Sequence, residues 1–223
     1  MTTAEDFLLV MTDPTTGKPM MGSAETDALF GGAFLFDLVA AGRLALEGEG
    51  RKARVAITSQ APVDDPVLQA AFMRLHGRKP QSPQNAVTRL GRKGRVRTYE
   101  ALVRKGAVRT RDEKVLGLFA LTRHDVVDTV RRDDLVRRIR ASLLTEQPAD
   151  AETGPVIGLL SAADLTKKLV DRSDRRQAKA RAKVVAEGDW ASEGVRKAIQ
   201  AAQSAMTAAV IAASVAGATA GSS

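Results

Sequence analysis

At 223 residues and 44% hydrophobic content, the chain can bury one large core or two small ones and fold without a covalent staple. It contains no cysteine, which excludes disulfides and thiolate metal sites and makes a reducing cytoplasm the default compartment. With 34 basic residues against 26 acidic ones the net charge is +8, so the expected partner is a polyanion.

Ala, Leu and Val dominate the apolar set, with six Phe, one Trp and one Tyr, a composition that favours closely packed helices over an aromatic-rich sandwich. The expected fold class is therefore mainly α. The N-terminus shows no basic region or cleavage site, so no secretory signal is read there. Thr3 is placed to cap a helix through Met11, with Glu5 and Asp6 in a first turn where the helix dipole favours negative charge. Asp13-Pro14-Thr15-Thr16-Gly17 is turn chemistry, and Lys18-Pro19-Met20-Met21-Gly22 follows as an exposed loop. An apolar helix then runs from Ser23 to Ala41, with Gly42 past its end. Arg43 to Glu47 and Arg54 to Thr58, flanking Gly48-Glu49-Gly50, read as a β-hairpin.

A helix over Asp65 to His76 comes next, then a basic loop with Pro80 and Pro83 and a helical pair that stops at Gly106. Ala107 to Thr110 pairs with Val115 to Leu121 in a second hairpin, and helices are expected over 125–144, 154–169 and 173–187. Gln147 to Thr153 is a loop, and a last helix starts near Ala191. From Ala198 to Ala220 the tail runs about twenty residues without a charge. Its Ala, Ser, Thr and Gly carry little transfer energy, so it reads as a packed helix burying Val210, Ile211 and Val215 rather than a membrane span.

The positive charge is concentrated. Between Arg74 and Lys114 stand thirteen basic residues and three acidic ones, and the rest of the chain is slightly acidic. Catalysis finds no constellation to rest on, and no metal or cofactor is expected. The Gly-x-x-Gly fragment at Gly91 and Gly94 follows no strand, so nucleotide-binding readings lack their context. His76 and His124 lie near expected element ends without a neighbouring nucleophile, and Asp133 and Asp134 among Arg131, Arg132, Arg137 and Arg138 read as a solvated ion-pair helix.

Two polyanions remain. Phosphate contacts to nucleic acid need only Lys and Arg, but single-strand binding needs aromatic platforms and this stretch holds only Tyr99. A helix-turn-helix around Pro83 to Lys105 would be joined through Gly91-Arg92-Lys93-Gly94 without an apolar anchor pattern, so nucleic acid is the second reading. A membrane surface is the first: clustered Arg and Lys attract anionic headgroups at about 1 kcal/mol each near the surface. Lys18, Met20 and Met21 would dip into the headgroup boundary, unless the two methionines cover the core instead.

The segment from Leu29 to Glu47, LFGGAFLFDLVAAGRLALE, resembles the helix-then-hairpin segment of the Golgi phosphoprotein 3 family, whose helix ends in an acidic-Leu-x-x-x-Gly-Arg-Leu pattern, here Asp37-Leu38 and Gly42-Arg43-Leu44. Leu102-Val103-Arg104-Lys105-Gly106-Ala107-Val108, Leu116-Gly117-Leu118-Phe119 and Thr122-Arg123-His124 are similar to its Leu-Val-x-Lys-Gly helix end and following hairpin. The resemblance implies one domain over 5–213, a helical bundle core wrapped by amphipathic helices and carrying β-hairpins, with 214–223 as a small-residue tail.

It also implies a non-enzymatic peripheral membrane adaptor. Eukaryotic members bind phosphatidylinositol 4-phosphate and retain glycosyltransferases by their tails. Their headgroup pocket uses an Arg/Lys-x-x-Arg pair that matches Arg92 and Arg95, and a spacing of three would put both on one helical face. Arg89, Lys93 and Arg97 would add to the field. The pocket's loop Trp falls near Gly22 and a further pocket Arg at Gly31, so half of the cage is absent. The Arg- and Ala-rich composition indicates a high-GC bacterial origin, where other anionic phospholipids are abundant. The expected location is the inner face of the cell membrane, with a protein client or a homo-oligomer through the hairpin around 107–121 as possible partners.

Overall fold

The computed structural model describes residues 1–22, 26–48, 50–115, 119–188, 191, 196–197 and 199–208. The first helix, α1 (Thr3–Val10), lies at the centre, and each of its residues is buried. Its cap is Thr2, one residue earlier than expected. The Thr2 hydroxyl accepts from the Glu5 amide while the Glu5 carboxylate accepts from the Thr2 amide, and this reciprocal pair satisfies two otherwise unpaired donors. Thr3 is thereby released to donate from its amide and hydroxyl to Asp37, at 3.0 and 2.6 Å.

Asp37 belongs to α2 (Thr26–Ala40), an apolar helix packed along α1. α2 stops where expected: Gly42 takes a φ of +66°, and the Arg43 amide reaches back to the Leu38 carbonyl at 2.8 Å. Its expected start at Ser23 lies outside the described residues. β1 (Leu44–Glu47) and β2 (Arg54–Ile57) then form the first antiparallel hairpin, with Leu44 opposite Ile57. α3 (Pro66–Phe72) is capped by Asp65, whose carboxylate accepts from the Val67 and Leu68 amides, and ends short of the expected His76. Pro83 is not in a loop. It is the first residue of α4 (Pro83–Gly91), the position where its missing N–H costs nothing.

α4 crosses α2 at backbone contact. A Cβ added at Gly31 would come within 3.0 Å of the Val87 carbonyl, and one at Gly91 equally close to the Asp27 carbonyl. α5 (Gly94–Arg104) follows and leads to a second hairpin longer than the sequence indicated, β3 (Val108–Val115) with β4 (Phe119–Val126). Its register pairs Val108 with Val126, both in the core, which extends the second strand through 122–126 and takes residues 125 and 126 from the expected next helix. His124 therefore lies within β4, two residues before its end. α6 (Thr129–Leu144) starts under an Asp128 cap, α7 (Thr153–Ala162) is largely buried, and α8 (Arg175–Ala186) covers α6 and α7. α7 stops seven residues early, followed at Asp164 by a φ of +53°.

Helical residues at 199–208 bury Ile199, Ala202 and Met206, with Met206 against Gly32 of α2. Val210, Ile211 and Val215, the expected buried face, lie outside the described residues, as does the 214–223 tail. Among the described residues no helix is long and apolar enough to cross a membrane.

The half-buried Asp37 has a consequence for pH. Desolvation pushes its carboxyl from 3.8 up to about 7, against the opposing hydrogen bonds from Thr3. A folded pKa above the unfolded one means the native state holds the extra proton, so this group's contribution is present below pH 4 and is lost as pH rises to 7. The Asp37→Asn variant, which mimics the protonated acid, should gain stability relative to the parent between pH 5 and 8. Urea titrations across that range check this; a constant difference would contradict it.

Candidate anion-binding site

The α4–α5 junction gathers the cations. Arg92 leaves α4 with a ψ of 119°, outside the helical region, and Lys93 turns the chain with a left-handed φ of 57° before α5 begins at Gly94. The turn is forced by packing: Gly91 lies on the α2 backbone and Gly94 against the Phe30 side chain. Arg92 and Arg95 consequently belong to two elements, and their spacing of three does not place them on one helical face. The helix-stacking expectation fails because the helix is interrupted between them.

The structure brings a different set together. Arg74, just past α3, donates from Nη1 to the Leu90 carbonyl at 2.6 Å and so sits at the C-terminal end of α4. Burial lowers its pKa, and the charges of Arg97 and then Arg92 lower it further. Among the described residues none of Arg74, Arg92 and Arg97 makes an ion pair. Arg89 and Lys93 stand exposed beside them. Sequence reasoning missed Arg74 because it lies 18 residues before Arg92 and only tertiary packing joins them.

Arg95 serves a neighbouring cleft of about 700 Å³ between α5 and the second hairpin, lined also by Pro19, Val96, Val103, Arg104 and Thr122. Its floor is Tyr99, whose ring stacks on His124 at 3.6 Å and whose hydroxyl bonds to Thr12 at 2.9 Å. Burial and then Arg95 hold the His124 pKa below its ordinary value, so this imidazole is neutral at pH 7.

The Lys18 to Met21 segment is not a free wedge. The Met20 amide bonds to the Met11 carbonyl at 2.7 Å, Met21 is 7% exposed within the core, and Met20 is half-buried against it. Only Lys18 is exposed. The core buries Met21, and it leaves part of the Met20 side chain open to solvent.

Other cations of the basic stretch are neutralised internally. Lys105 lies just past the end of α5. It bonds to the buried Glu5 at 2.6 Å and to Asp65 at 3.2 Å, and Arg111 pairs with Asp125. Gly22 is exposed with open space around it, whereas Gly31 is pressed on α4 and has no room for an arginine. Among the described residues no cluster of His, Asp and Glu is arranged to hold a metal ion.

A mainly helical domain with two antiparallel hairpins is the fold class that the sequence resemblance implied. Residues 4–202 match the sequence profile of the Golgi phosphoprotein 3 (GPP34) family, and the chain belongs to that family. No curated protein matches it.

Proposed function

We propose that the chain is a non-enzymatic peripheral membrane adaptor that binds anionic lipid headgroups, phosphatidylinositol 4-phosphate among them, at the α4–α5 junction. One observation carries the reading: Arg89, Arg92, Lys93, Arg95 and Arg97 lie within nine residues without an ion pair among the described residues, while Lys105 and Arg111 of the same stretch are paired. The first turn of α5 points the same way, since Lys93 offers no side-chain cap and leaves backbone N–H groups for an anion. Arg92 immediately precedes that junction as the residue on which α4 ends, and Arg95 lies within the turn itself. Family membership supports a membrane as the source of the anion, at the inner face of the cell membrane.

Vesicle co-sedimentation with the Arg92→Ala/Arg95→Ala variant tests the site. Two lost surface arginines should weaken binding to anionic vesicles by about 2 kcal/mol, roughly 30-fold. Equal pelleting of variant and parent would sink the assignment.

A further inference from the structure

One face of α5 is apolar and lies open. Val96, Tyr99 and Val103 recur at the i, i+3, i+7 spacing that lines one side of a helix, a stripe about 10 Å long. Such a stripe ordinarily packs against apolar cover, yet Val96 is 53% exposed and Val103 37%. Both line the cleft of about 700 Å³ beside the second hairpin, which Thr110 of β3 and Thr122 of β4 border from the strand side. A cleft of that size suits a small molecule. Its base is held in place: the Tyr99 hydroxyl is engaged by Thr12, the Tyr99 ring lies on His124, and the His124 amide donates to the Gly17 carbonyl at 3.1 Å.

The charge around this apolar surface is small and positive. Arg95, Glu100 and Arg104 line the cleft and make no ion pair among the described residues, while Arg123 is neutralised by Glu113 on the neighbouring strand. Two arginines against one glutamate leave a single positive charge, to which the neutral His124 adds nothing. The complement of that surface is an amphiphile with one negative charge. A dianion would exceed the charge available, and a neutral chain would leave the arginines unanswered. Carbon–carbon bonds of ~1.5 Å in a zigzag cover the stripe with about ten carbons. We propose that the cleft binds a monocarboxylate with an unbranched apolar body of that length, a free medium-chain fatty acid, with its chain along Val96, Tyr99 and Val103 and its carboxylate at the arginine rim. Arginine forks match carboxylate and phosphate alike, so the choice between them comes from the charge number and the apolar stripe. Binding here needs no membrane and is separate from the headgroup reading above.

Isothermal titration of the full chain with decanoate, kept below its micelle concentration in vesicle-free buffer, reads the site directly. Decanoate should bind at a single site. Octanoate, two methylenes shorter, should bind about tenfold more weakly. Decanol, which lacks the charge, should also lose about tenfold, and decyl phosphate should gain nothing over decanoate. Val103→Asp sets a carboxylate in the stripe, and Thr122→Trp fills the cleft from the hairpin without changing charge. Both positions are exposed, so both variants should fold, and each should abolish decanoate binding. Arg104→Gln should remove the preference for decanoate over decanol. Val184→Asp, at an exposed valine of α8, should change nothing. Absence of decanoate binding, equal affinity for decanoate and decanol, or binding that survives both Val103→Asp and Thr122→Trp overturns the proposal. Decyl phosphate that binds more tightly than decanoate and is unaffected by Thr122→Trp also overturns it. Thr122→Trp should pellet with anionic vesicles as the parent does, so the cleft and the headgroup site fail separately.

Discussion

Replacing Gly91 with alanine should lower the melting temperature by roughly 10 °C or prevent folding altogether, on the scale of an overpacked core losing about 3 kcal/mol or more. The new Cβ would meet the Asp27 carbonyl and the Gly31 amide, all backbone atoms of α2 that no rotamer change can move away. Gly31→Ala should behave alike, through the Val87 carbonyl on α4. Gly22 makes the control: nothing lies within 4 Å of its would-be Cβ, so Gly22→Ala should leave the melting temperature unchanged or slightly raised. Thermal unfolding of the three variants decides it. A Gly91→Ala protein as stable as Gly22→Ala would contradict the α2–α4 contact, and with it the position of the junction that α4 delivers.

The second large effect is expected at Arg131. Its guanidinium donates to Asp6 at 3.0 and 2.7 Å and to Glu152 at 2.6 Å, and Arg138 shares Glu152 from two turns further along α6. Asp6 is 3% exposed. Burial raises its pKa, and Arg131 opposes that rise by hydrogen bond and charge. Arg131→Met leaves a buried carboxylate without its partner, at a cost of about 3–5 kcal/mol. Part of that loss is relieved by protonating Asp6. Because its folded pKa then rises further above the unfolded value, the stability missing from the variant should be smaller near pH 5 than near pH 8. Asp6→Asn added to Arg131→Met should restore much of the stability, since removing both members of a buried pair costs far less than removing one. Denaturant titrations that found the two losses additive would contradict the pairing.

Local chemistry was legible wherever its cause is local. Gly42 ending α2, the start of α3 beside Asp65, the Asp13 turn and the first hairpin all follow from residues within a few positions of one another, and the structure places each as expected. The family could also be read from the Leu29 to Glu47 segment. The candidate site was less legible, for tertiary reasons. Arg92 and Arg95 share a face only if the helix is continuous, and what interrupts it is the packing of Gly91 and Gly94 on α2. Arg74 was indistinguishable from the other cations of its stretch until α4's end came to rest beside it. The ion pair of Lys105 was not legible for the same reason, because its partner Glu5 is 100 residues away. Met20 and Met21 carried no local signal to decide between lipid and core; the core buries Met21 and half-buries Met20.

The central claim is that the unpaired cations of the α4–α5 junction answer to an anionic membrane surface. Its most direct measurement is sedimentation of the unmodified chain with neutral phosphatidylcholine vesicles, with vesicles containing phosphatidylglycerol, and, in parallel at the same salt, a gel shift with generic duplex DNA. The account predicts pelleting with the anionic vesicles that weakens as salt rises, none with the neutral ones, and little shift of DNA. A salt-steep DNA shift with no pelleting on either vesicle would contradict it.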